Sequence, residues 1–190
     1  MRMKRWWLAI TCLYLNGLIK AIPLSNEGSL SSRCVPGWTF WGSHCYRFFS
    51  NHQMEWFDAE RFCNQFGTIY EGAEDQLAHL VSIHSELENM FVRSLWEGVS
   101  ETIHGHRRNC WIGLNDVRKE GDFVWSDRTT YDYFRWKIQQ PNNKGGHQNC
   151  VALSDADSGT FMGGSWDDGR CTLVLPFMCK MLPVYIAPPR

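Results

Sequence analysis

The chain has 190 residues, a formal net charge of −1, 44% hydrophobic residues and 21% charged ones. The near-neutral charge excludes a basic nucleic-acid binder and a polybasic membrane binder, and the hydrophobic fraction excludes disorder. Eight Cys and ten Trp place a single domain of this length in an oxidising compartment.

Arg2, Lys4 and Arg5 precede an apolar run over residues 6–19, and Lys20, Ala21 and Ile22-Pro23 follow. This order predicts a secretory signal peptide over 1–21, cut near Ala21. The run is shorter than the roughly 20 apolar residues of a spanning helix; a short uncleaved signal anchor is the competing reading. No second long apolar run follows, so the mature protein is expected to be secreted, extracellular and not inserted in a membrane. Cleavage removes four cations and no acid. Lys plus Arg then falls from 19 to 15 against 20 acids, a mature charge near −5. It also removes Cys12 and leaves Cys34, Cys45, Cys63, Cys110, Cys150, Cys171 and Cys179. An odd number in a secreted chain means one free or intermolecular thiol. There is no Asn-x-Ser/Thr sequon, so N-glycosylation is not expected.

Residues 22–33 are small, polar and Ser-rich and read as a linker. Residues 34–180 form one unit. Residues 181–190, with Pro183, Pro188 and Pro189, read as a poorly ordered tail. A first helix is expected over 55–66, with Trp56, Ala59, Cys63 and Phe66 on one face. A second begins at Ser85. Ser85 and Glu88 make a capping-box pattern, and Leu87, Met90, Phe91, Ser94 and Leu95 give the expected buried stripe. Short strands are expected over 45–49, 79–83, 110–114, 123–125, 150–153 and 176–180. Trp and Phe on these strands are read as core. Between Asp116 and Trp166, Gly, Asn, Asp and Gln accumulate and apolar residues thin out. A long irregular stretch in a compact domain is usually functional.

Catalysis is rejected. Gly163-Gly-Ser165-Trp lacks the second Gly of a nucleophile elbow. The pairs His79/His84 and His104/His106 do not make His-Glu-x-x-His, and there is no Cys-x-x-Cys. There is no phosphate-cradling Gly loop, and Asp155-Ala-Asp157-Ser-Gly159 is too short and too poor in acids for an EF-hand.

The order of several motifs is similar to that of long-form C-type lectin-like domains. They are Cys34-Val-Pro-Gly-Trp-Thr-Phe-Trp-Gly-Ser-His-Cys45-Tyr46, the Cys63 helix, Leu80-Val-Ser-Ile-His-Ser, Trp111-Ile-Gly-Leu114 and Glu120-Gly-Asp-Phe-Val-Trp125. Gln140-Pro-Asn142, Cys150-Val, Trp166-Asp-Asp168, Cys171 and Pro176-Phe-Met-Cys179-Lys follow. The match covers 34–180. It implies an α+β fold, two helices flanking small antiparallel sheets with a long ligand-binding loop region. It also implies three disulfides, Cys34–Cys45, Cys63–Cys179 and Cys150–Cys171. Cys110 is then the odd thiol. A buried, inert thiol is preferred over a homodimer bridged through it.

Many members of this family bind sugar through Ca²⁺, a hard cation held by carboxylate and amide oxygens. The resemblance maps the ligands of the metal, which also meet the sugar, onto Gln140, Asn142, Gln148, Asp167 and Asp168. All five carry side-chain oxygen. Gln140 stands for Glu and Asp167 for Asn, an exchange that leaves charge unaltered. Gln148 stands for Glu, so two carboxylates face the ion where the family has three, and a weak site toward the millimolar range follows. Asp116, Glu120, Asn143, Gln148 and Asn149 map to a second family site, and a turn around Glu120-Gly121 is the preferred reading there. Gln-Pro-Asn matches neither the mannose-type Glu-Pro-Asn nor the galactose-type Gln-Pro-Asp. His147 and Trp136 flank the site as candidate stacking groups. The resemblance thus implies a Ca²⁺-dependent lectin with glycans or glycoproteins as partners. A Ca²⁺-independent protein-binding module on the same fold is the alternative.

Overall fold

The computed structural model describes residues 31–68, 76–104, 109–154 and 165–186. The segment read as a signal peptide, most of the segment read as a linker and the last four residues lie outside them. The strands are β1 (Ser31–Arg33), β2 (Thr39–Trp41), β3 (His44–Met54), β4 (Gly67–Thr68), β5 (Gln76–Leu77), β6 (His79–Leu80), β7 (Cys110–Asn115), β8 (Val124–Trp125), β9 (Cys150–Ser154), β10 (Ser165–Gly169), β11 (Leu175–Met181) and β12 (Val184–Ile186); the helices are α1 (Trp56–Cys63) and α2 (Glu86–His104). The main sheet runs β10-β9-β7-β11-β3-β2, with β6 added on β11 and β8 on β7. It is larger than the small sheets expected, and β7 meets β11 in parallel. β1 pairs with β12, so strand structure reaches three residues into the segment read as linker and well into the segment read as tail.

Alternation on the central strands divides the core between the two sheet faces. On β7, Trp111 packs with Trp38, Phe49, Trp56 and Phe177, whereas its neighbour Ile112 packs with Trp96, Trp125, Trp166 and Met178. Gly113 follows for a steric reason. A Cβ there would stand 2.7 Å from Ser126 Oγ and 2.8 Å from the Leu80 carbonyl. The expected strand 79–83 pairs only at His79 and Leu80. Beyond them the Val81 N–H donates to the Met178 carbonyl and the Val81 carbonyl accepts from Gly113 N–H, which stitches the two inner strands together.

All three implied disulfides are present. Cys63–Cys179 ties α1 to β11 across 116 residues. A loop of about 100 residues is worth ~4.7 kcal/mol in the chain-entropy account. Cys110 is free and buried, and burial pushes its thiol pKa up. The thiol has no exposed surface, as the buried, inert reading expects.

α1 ends at Cys63, earlier than expected, because the Asn64 side chain turns to the Ala78 carbonyl and Glu60. α2 departs more informatively. Ser85 Oγ accepts the Glu88 N–H at 3.1 Å, as the capping pattern requires. The expected stripe holds only in part: Phe91 and Leu95 pack against the core, but the fully buried face is shifted. Leu87 and Met90 are 69% and 54% exposed, and the buried side chains are Glu88, Asn89, Val92 and Trp96. Glu88 accepts from Lys180 Nζ at 2.7 Å, Tyr46 Oη at 2.6 Å and His84 N–H at 2.8 Å. Asn89 Oδ1 accepts from Trp166 Nε1 at 3.0 Å. Two polar residues are thus drawn inward, which turns the helix by about one residue, roughly 100°. An apolar-periodicity rule counts both as surface.

Candidate functional site

The site is built on β10, a strand that periodicity does not reveal because Ser165-Trp-Asp-Asp-Gly169 has no apolar alternation. Pairing with β9 sets Asp167 opposite Ala152 and Asp168 opposite Val151. Trp166 anchors it: the indole is fully buried and meets Trp125, Tyr133 and Trp136 edge-on. The long loop returns along the outer side of β10. Trp166 N–H donates to the Arg135 carbonyl at 2.7 Å, and Lys137 N–H to the Trp166 carbonyl at 2.9 Å. The chain then turns through Gln139 (φ +66°), the cis Gln140–Pro141 peptide and Asn143 (φ +40°).

Asp168 holds the two segments together. Its carboxylate accepts the Asn142 N–H at 3.1 and 3.2 Å and the Asn143 N–H at 2.6 Å. The loop is closed from its far end by Gln148, whose Nε2 donates to the Asp168 carbonyl at 2.9 Å. Lys144 N–H donates both to Asn142 Oδ1 at 2.9 Å and to Gln148 Oε1 at 2.6 Å. Asn142, Gln148 and Asp168 are therefore connected by hydrogen bonds, and Asp167 and Gln140 are their near neighbours in the chain.

The donor set is all oxygen and suits a hard cation. Gln140 Oε1 is buried without a hydrogen-bond donor, a costly state for a carbonyl. Burial raises the Asp167 carboxyl pKa, Lys137 lowers it, and Asp168 raises it again, with a net upward shift. A buried oxygen lacking a donor and a half-buried carboxylate with a raised pKa are both groups that a cation would relieve. Among the described residues no cluster of three or more His, Cys, Asp or Glu occurs, so amide oxygens would have to complete any coordination here.

A second orphan pair lies close by in the fold. Asp116 Oδ2 accepts the Gly121 N–H at 2.8 Å, the turn expected at that point. Asp116 Oδ1 and Asn149 Oδ1 are both buried without partners, and Asp116 N–H donates to the Asn149 carbonyl. Of the two candidate stacking groups, Trp136 is engaged in packing. It meets Phe123 edge-on, and its Nε1 donates to Tyr131 Oη at 2.9 Å. His147 is exposed.

A cavity of about 340 Å³ lies elsewhere, lined in part by His44, His79, His84, Asp127, Thr129 and Lys180. It shares no residue with the loop site. Most of its polar groups already serve the fold: His79 with Glu60, Lys180 with Glu88, Thr129 with Asp127 and His84.

The Lectin C-type domain family matches residues 52–181. The chain is 34% identical to Echinoidin of Heliocidaris crassispina over 80% of this chain and 98% of that protein. It is 33% identical to an alpha-N-acetylgalactosamine-specific lectin of Patiria pectinifera over 77% of this chain and 79% of that one. The crystal structure of the C-type lectin CEL-I from Cucumaria echinata superposes with a TM-score of 0.65 at 30% identity, covering 78% of this chain and 96% of that one.

Proposed function

The chain belongs to the C-type lectin family, and on that premise we propose that it is a secreted lectin that binds carbohydrate through Ca²⁺ at the Gln140-Pro141-Asn142 loop and β10. One observation carries the reading: Asp168 binds the amides of Asn142 and Asn143 onto β10, in a loop whose Gln140 Oε1 is buried without a donor. Gln140, Asn142, Asp167 and Asp168 would hold the ion, with Gln148 bracing them. A bound Ca²⁺ offers open coordination positions to sugar hydroxyls and neutralises the two carboxylates. The chain's own groups supply the orientation. Carboxylate oxygens of Asp167 and Asp168 accept hydrogen bonds from sugar hydroxyls, and the amide nitrogens of Gln140 and Asn142 donate to hydroxyl oxygens. Two carboxylates instead of three place the affinity toward the millimolar range of extracellular modules. The similarity to a lectin named for N-acetylgalactosamine supports a glycan ligand without fixing which sugar.

Isothermal titration with Ca²⁺, followed by a glycan array with and without chelator, tests this. Heat at millimolar Ca²⁺ and chelator-sensitive glycan signals are expected. No heat and no chelator-sensitive signal would sink the proposal in favour of an ion-independent protein-binding module. The stoichiometry also reports on the orphan oxygens of Asp116 and Asn149: one ion leaves them unfilled, and two ions fill both places.

A further inference from the structure

We propose that Gln148 is a positioning residue that keeps the 142–148 loop in its ligand-ready shape without a cation. The proposal deepens the lectin reading and rests on it for what the loop serves. The same residue, Asp168, grips both ends of the loop. Its carboxylate takes the Asn142 and Asn143 amides at the start, and its backbone carbonyl takes Gln148 Nε2 at the finish. Between these ends the loop bonds to itself. Gln148 N–H donates to Asn143 Oδ1 at 3.0 Å, Gly146 N–H to the Asn143 carbonyl at 2.8 Å, and Lys144 N–H to Gln148 Oε1 at 2.6 Å.

The two bonds made by the Gln148 side chain fix its polarity. On one side it faces a carbonyl and must donate; on the other it faces an N–H and must accept. An amide does both. A carboxylate accepts from Lys144 but sets a second acceptor against the Asp168 carbonyl, and two facing acceptors repel. Glu at this position would therefore leave β10 and need a cation to hold it near. With Gln, one amide N–H is spent on the β10 backbone, and the loop has no need of the ion for its shape. Lys144 N–H also holds the Asn142 oxygen, so orientation set at Gln148 extends to Asn142.

Hydrogen–deuterium exchange of the 142–148 segment in the full secreted chain tests this, in chelator and in millimolar Ca²⁺. The amides of Asn142, Asn143, Lys144, Gly146 and Gln148 are the reporters. In the wild type, exchange should differ less than about twofold between the two conditions. Gln148→Glu should exchange roughly tenfold faster in chelator, the scale of one or two lost hydrogen bonds, and recover in Ca²⁺. Gln148→Met, which lacks both donor and charge, should be fast in both. Melting curves in chelator report whether each variant is folded, and the wild-type arm needs no variant. Wild-type exchange that rises tenfold on chelation overturns the proposal, as does a folded Gln148→Glu as protected as the wild type in chelator. A loop that stays protected in a protein that binds neither Ca²⁺ nor glycan removes the lectin reading and leaves the role of Gln148 standing.

Discussion

The two ends of the main sheet are held by different forces. Around α1, β3 and β11, aromatic side chains interlock: Phe49 stacks on Phe177 and meets Phe62 edge-on, and Cys63–Cys179 locks the layer covalently. Around Asp168 and the 142–148 loop, at the far edge of the sheet, side-chain oxygens grip backbone amides. The first region is ordered by area removed from water, which is insensitive to the identity of a ligand. The second is ordered by a few directional bonds, each worth about 1 kcal/mol net, so it can respond to an ion or a sugar.

The largest expected effect breaks the first region. Replacing Cys63 and Cys179 by Ala should cost up to about 4.7 kcal/mol and lower the melting temperature of the whole domain, the loop included. Equal melting curves would show that the aromatic layer suffices alone. The next breaks the second region only. Asp168→Ala removes the anchor of Asn142 and Asn143 and one carboxylate, and should weaken Ca²⁺ binding by more than about 100-fold with the fold intact. Titration and circular dichroism check both halves, and unchanged ion binding would put the site elsewhere.

A third effect is smaller and depends on pH. Burial of Glu60 favours its neutral form, but bonds from His79, Leu80 N–H and Asn64 outweigh it and bring its pKa below the usual value. The Glu60 bond raises the pKa of His79 against burial. The Glu60 contribution is whole above about pH 4.3 and is lost as pH falls through the depressed value; that of His79 is whole below about pH 6.5 and is lost as pH rises through the raised value. Urea unfolding of His79→Gln should therefore differ most from the wild type between about pH 4.3 and 6.5. A pH-independent difference would mean that packing, not charge, is what His79 supplies. The smallest effect is Leu87→Ser, within about 0.5 kcal/mol, since Leu87 is 69% exposed; a loss of 2 kcal/mol or more, typical of a buried Leu, would restore the stripe expected from periodicity.

What was legible in the sequence follows the same division. Aromatic strands and motif order marked the first region, whereas the disulfide pairing and the five oxygen-bearing positions came from the resemblance to the family, since Cys spacing alone does not choose a pairing. The phase of α2 was not legible, because Glu88 and Asn89 are buried by partners 92 and 77 residues away in the chain. Nor was β10, because a strand made of two Asp, a Trp and small residues gives no alternating signal. Gln148 was read as a ligand, and its bond to a backbone carbonyl of β10 was invisible because backbone acceptors leave no trace in residue identity. The exposed His147 remains a candidate contact, whereas the packing of Trp136 is explained by its neighbours Phe123 and Tyr131.

The pairing of β1 with β12 has a practical consequence for handling the domain. Ser31 and Ile186 lie side by side, and β1 is followed by β2, the edge strand opposite β10 in the sheet order. A tether joined at Ser31 or at Ile186 therefore starts from one common place, and a sensor surface or bead would present the 142–148 loop in the same attitude whichever of the two carried the linker.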